Sequence, residues 1–128
     1  MPPRRRTDPA EGLAAVREVT RVLDGGGKPP RPLLATAVRY GLEELAARYP
    51  GGSVEVRVPP FAAVQVVAGP RHTRGTPPAV VEMDGPTWIA LATGRLSFAE
   101  ARAGGRVQAS GQRTDLGELL PLVPPEPA

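Results

Sequence analysis

Hydrophobic and polar positions along the chain alternate first with a helical period, then with a period of two, then in short capped bursts. Asp8-Pro9-Ala10-Glu11 joins an Asp cap, a proline suited to the first helical turn and a Glu three residues on. Leu13, Val16, Thr20 and Leu23 then recur on one face, with Arg17 and Arg21 on the other, until Gly25-Gly26-Gly27 stops the pattern. Lys28-Pro29-Pro30-Arg31-Pro32 is a stiff connector, and Pro32 is suited to opening a second helix. That helix covers roughly 33–49, with Leu34, Val38, Leu42, Leu45 and Tyr49 inside and Glu43, Glu44 and Arg48 outside. Pro50-Gly51-Gly52 ends it.

Val54, Val56 and Val58 next alternate with Glu55 and Arg57, a half-buried strand. Pro59-Pro60 breaks it, and Phe61–Val67 is a second strand with apolar residues on both sides, expected to pair antiparallel with the first. A polar, proline-rich loop from Gly69 to Pro78 holds His72, and Ala79–Met83 is a third strand. Asp84-Gly85-Pro86 caps a short helix carrying Trp88, Ile89, Leu91 and Ala92, ended by Gly94. Ser97-Phe98-Ala99-Glu100 is a capping box for another, terminated by Gly104-Gly105. Arg106–Ser110 is a fourth strand, and Asp115 to Glu118 open a last turn over Leu116–Leu120 before Pro121. The expected fold is α+β: a largely antiparallel sheet of about four to five strands with helices on one face. Residues 8–123 form its single domain, between a disordered basic tail (1–7) and a disordered proline-rich tail (124–128).

Composition narrows the function. A chain of 128 residues fits one domain of the usual size. With no cysteine, disulfides, thiolate metal sites and cysteine nucleophiles are excluded, and His72 is the single histidine for any zinc site or triad. No apolar run reaches the length of a membrane span and no secretory signal follows the arginines, so the expected compartment is the cytoplasm. Formal net charge is +3, and Arg4, Arg5 and Arg6 account for it; the remaining 13 basic and 13 acidic groups balance. No specific nucleic-acid partner is expected from that distribution.

The segment from Met83 to Gly111 carries a more specific pattern. It holds an Asp, a bulky residue four on, Leu-x-x-Gly-x-Leu, a short Ala-containing helix, and Gly-Arg-apolar-x-apolar-x-Gly. Asp84, Trp88, Leu91, Gly94, Leu96, Ala101, Gly105, Val107, Ala109 and Gly111 supply it. In this the chain resembles the sterol-carrier (SCP-like) family, in particular a small stand-alone actinobacterial branch. The resemblance implies non-enzymatic binding or transport of an apolar small molecule, of lipid or fatty-acyl type, in a cavity between sheet and helices. It implies an apolar lining drawn from Trp88, Leu91, Leu96, Phe98, Leu116, Leu119 and Leu120, with no catalytic residue, metal or cofactor. The same residues also serve as core, and Asp84 as an N-cap. Gln112-Arg113-Thr114-Asp115 and Pro121 depart from the family's continuing C-terminal helix, which bears on the pocket mouth.

Two other classes compete. SCP-like domains also occur behind the metal-binding helical domain of mycothiol-dependent maleylpyruvate-isomerase-like proteins, but the histidines such a domain needs are missing here. A protein-interaction module without ligand is the other alternative, marked by an exposed apolar patch rather than a cavity. Homodimerisation through an edge strand or the apolar C-terminal stretch is compatible with either.

Overall fold

The computed structural model describes residues 6–69, 79–111 and 114–123. Its elements are α1 (Pro9–Asp24), α2 (Arg31–Arg48), β1 (Val54–Val58), β2 (Ala62–Val66), β3 (Ala79–Met83), α3 (Gly85–Ala92), α4 (Phe98–Ala103) and β4 (Val107–Ser110), with a closing 3-10 turn at Gly117–Leu119. The expected caps are formed. The Asp8 carboxylate accepts from the Glu11 N–H at 3.0 Å, and that of Asp84 from the Thr87 N–H at 2.8 Å. Ser97 and Glu100 complete a reciprocal capping box. Each such cap offsets an otherwise unsatisfied N–H at a helix start, contributing about 1 kcal/mol.

The sheet has four strands in the order β2-β1-β3-β4. β1 pairs antiparallel with β2, β3 antiparallel with β4, and β1 with β3 in parallel. The sheet is therefore mixed, and the central parallel pair is the part that period-two alternation leaves undetermined. Register places Val54, Val56, Val58, Ala79, Val81, Met83 and Val107 on one face, all buried. The other face is a polar ladder in which Glu55 and Arg57 form an ion pair and stand beside Val80 and Glu82. A sheet with one apolar and one charged face needs helices on one side alone.

α1 and α2 differ from their expected faces. In α1 the buried residues are Gly12, Ala15, Val16, Val19 and Thr20, whereas Leu13 and Leu23 are half-buried. The stripe is rotated toward the small residues because they allow closer approach: a Cβ on Gly12 would stand 2.3 Å from Tyr40 Cδ1. In α2 burial extends from Val38, Leu42 and Leu45 to Ala37, Tyr40, Gly41 and Ala46, while Leu34 and Tyr49 are half-buried. α2 is thus clasped from two sides. Tyr40 lies on α1 and the Trp88 ring of α3 lies on Gly41, with the indole N–H donating to the Val38 carbonyl at 3.3 Å.

The far end of α2 is tied to the sheet. Val67 donates to the Tyr49 carbonyl at 2.8 Å, and its own carbonyl accepts from the Ser53 N–H at 3.1 Å and hydroxyl at 2.8 Å. Val67 adopts φ +69°, a left-handed conformation disfavoured for a β-branched residue, and these three bonds hold it there.

Gly12→Ala is expected to destabilise the fold by about 1–3 kcal/mol, because the added methyl overlaps the Tyr40 ring and α1 must lift. Chemical denaturation measures this. A Gly12→Ala protein as stable as the parent would contradict the close α1–α2 seat.

Candidate functional site

Side-chain size decides where the layers fail to meet. α2 runs beside the edge strand β2, anchored at one end by the Tyr49–Val67 hydrogen bond and at the other by Arg39, whose Nε–H points to the Phe61 carbonyl at 3.5 Å. Between these ties a small pair faces across the seam, Ala46 on the helix and Ala62 on the strand, while Ala63 belongs to the opposite face of the sheet with Arg57. The inward side chains of β1 are fully buried, but Ala62 and Val64, on the same face of β2, are only half-buried. The result is a groove of about 970 Å³ with an apolar floor of Leu42, Ala46, Phe61, Ala62 and Val64.

The rim of this groove is polar. Glu43 accepts from the Arg6 N–H at 3.2 Å, the Thr7 N–H at 2.9 Å and the Thr7 hydroxyl at 3.1 Å, which brings the start of the described chain to the groove's mouth. Arg31 stands with its guanidinium carbon 5.9 Å from the centroid of the Phe61 ring. Phe61 also packs close to Leu34 and Gly85, since a Cβ on Gly85 would approach both to 3.2–3.3 Å.

A second groove, of about 860 Å³, follows the outer side of α1 and is floored by Leu13, Ala14, Val16 and Val123. Its rim carries the cross-chain ion pair of Arg95 with Asp24, at 2.7 Å, joining the loop after α3 to the end of α1. The guanidinium hydrogen bonds hold the Asp24 carboxyl below the ordinary carboxylate range, against a smaller opposing effect of desolvation. Leu122 and Val123 close the base by donating their N–H groups to the Ala92 carbonyl at 2.9 and 3.0 Å.

The residues expected to line an apolar cavity lie apart from both grooves. Trp88, Leu91, Phe98 and Leu116 are buried in the core, and Leu96, Leu119 and Leu120 are half-buried against it. Trp88 comes nearest to the α2–β2 groove, because the Gly41 it touches adjoins Leu42 of the floor. The groove residues Arg39, Ala46, Phe61, Ala62 and Val64 were not singled out from sequence as a site. The available signal was the Phe61–Val67 strand itself, apolar on both sides yet bordered by alanines. His72 lies outside the described residues. Among the described residues no cluster of carboxylates or histidines could hold a metal ion, and no helix is long and apolar enough to cross a membrane.

With this geometry established, comparison with known families is decisive for residues 30–122, which match the family described as "Bacterial SCP ortholog". The chain belongs to this family. No curated protein matches it. The SCP segment starts at the connector before α2 and runs to Leu122, so it contains the whole sheet, the Arg39–Phe61 tie and the floor of the α2–β2 groove. α1 lies before the matched segment, and so do Arg6 and Thr7 at the groove's mouth.

The ion pair at the end of α1 sets a pH dependence. A carboxyl lowered in the folded state stabilises the fold above its unfolded pKa and loses that effect as pH falls through the folded value. Asp24→Asn is therefore expected to lower the melting temperature slightly near neutrality, with the gap closing as pH falls below about 4. Melting curves of both proteins across that range check it; a gap that stays constant with pH would refute the assignment.

Proposed function

We propose that the chain binds an apolar small molecule of lipid or fatty-acyl type along the α2–β2 groove and carries it without chemical change. The observation that carries this reading is the seam itself, tied at both ends and floored between them by Leu42, Ala46, Phe61, Ala62 and Val64. Its volume of about 970 Å³ falls at the upper end of the usual range for small-molecule sites. Its floor is aliphatic and aromatic, so affinity would come from removing apolar surface from water, about 25 cal/mol per Å². Membership of the bacterial SCP family supports the same direction.

The polar groups at the groove suit binding better than catalysis. Glu43 is the one carboxylate among the described residues lining it, and its oxygens accept hydrogen bonds from Arg6 and Thr7. It is a latch for the chain rather than a free general base. Of the apolar set expected from sequence, Trp88 backs α2 at Gly41.

A fluorescent fatty-acyl probe titrated into the protein is expected to bind saturably and to change the emission of Trp88. Val64→Lys places a charge on the floor at a half-buried position and is expected to weaken binding at least about tenfold, or 1.4 kcal/mol. An unaltered affinity in Val64→Lys would move the site elsewhere. Failure of the parent protein to take up fatty-acyl, sterol or acyl-CoA probes would remove the carrier reading.

A further inference from the structure

Arginine partners are distributed unevenly over this molecule. Arg21, Arg48, Arg57 and Arg95 are each ion-paired, to Glu18, Glu44, Glu55 and Asp24 respectively. Five others, Arg6, Arg31, Arg39, Arg102 and Arg106, have no carboxylate at salt-bridge distance among the described residues, and three of these five gather around the mouth of the α2–β2 groove. Arg6 and Arg39 line the groove and Arg31 stands over Phe61. The acid nearest to them, Glu43, has its oxygens occupied by backbone and hydroxyl donors. Arg4 and Arg5 immediately precede Arg6 in the chain. Three arginines against the single carboxylate of Glu43 leave the described rim with a net positive charge, which is complementary to an anionic partner.

The apolar groups within that rim distinguish the kind of partner. Pro59 and Pro60 are exposed at the β1–β2 turn, Phe61 is half-exposed beside them, and Ala62 and Val64 continue the apolar surface into the groove. An aromatic ring and aliphatic groups ringed by arginines match a lipid headgroup region, where rings sit at the boundary and cations meet phosphate. A nucleic-acid surface would reward the arginines but leave the apolar tip unused.

We propose that the mouth of the α2–β2 groove, formed by Arg6, Arg31, Arg39 and the Pro59–Phe61 turn, docks on an anionic lipid bilayer. In that pose the groove opens toward the membrane. The docking surface goes beyond the carrier reading and does not require it, since the charges and the turn suffice for binding.

Vesicle flotation tests this with the full chain. At about 0.1 M salt the protein is expected to float with phosphatidylcholine vesicles containing phosphatidylglycerol, not with pure phosphatidylcholine, and to be released by about 1 M salt. Removing Arg31 and Arg39 together, as Arg31→Ala/Arg39→Ala, is expected to lower partitioning roughly thirtyfold, about fivefold for each arginine. Phe61→Ala is expected to lower it further. Arg102→Ala removes the same charge as either single change, from an exposed position on α4, and is expected to leave partitioning within about twofold. The two exposed arginine changes keep the test valid if Phe61→Ala fails to fold. Equal binding to both vesicle types, an Arg102→Ala loss as large as that of Arg39→Ala, or binding to a short nucleic-acid duplex without binding to vesicles would each overturn the proposal. Vesicle binding without uptake of the fatty-acyl probe would uphold this surface and remove the carrier reading.

Discussion

The structure depends on the clasp around α2. A large ring presses on a glycine on each side of this helix, Tyr40 against Gly12 of α1 and Trp88 of α3 against Gly41. These contacts bring three helix backbones close together, and the Trp88 N–H bond to the Val38 carbonyl fixes the rotation of one pair. Packed interiors tolerate neither voids nor overlap, so the clasp fixes the position of α2. Its other side must then meet the sheet wherever the clasp has put it.

That placement explains why the groove lies where it does. α2 reaches the edge strand at both ends, through Tyr49 and Val67 and through Arg39 and Phe61, but the alanines between do not fill the seam. The central strands of the same sheet are covered: Val54, Val56, Val58 and Val81 have no exposure. The apolar interior is therefore well packed at the centre and less covered at the β2 margin. Trp88, Leu91 and Leu116 lie within the packed core.

Much of this was legible in the sequence because local chemistry agreed with the final fold. Asp8, Asp84 and Ser97 cap helices where their spacing to Glu11, Thr87 and Glu100 indicated, and the alternating valines of β1 mark a half-buried strand. The pattern from Asp84 to Gly111 identified the family that residues 30–122 match. What escaped were features set by approach distance rather than by hydrophobicity. Gly12, Ala15 and Gly41 do not register as apolar stripe residues, yet they decide which faces of α1 and α2 are buried. The groove escaped for a related reason: it arises from small residues on separate elements, Ala46 on α2 and Ala62 on β2, which only the tertiary fold brings opposite each other. The parallel pairing of β1 with β3 is likewise a tertiary choice that alternation cannot express.

The most direct test of the central claim is an amide nitrogen–proton correlation spectrum recorded during titration with a fatty-acyl ligand. The α2–β2 assignment predicts that the largest shifts map to Leu42, Ala46 and the stretch from Phe61 to Val64, with smaller changes at Gly41 and Trp88 behind them. Shifts concentrated instead on α1 and Val123, or absent at saturating ligand, would contradict it.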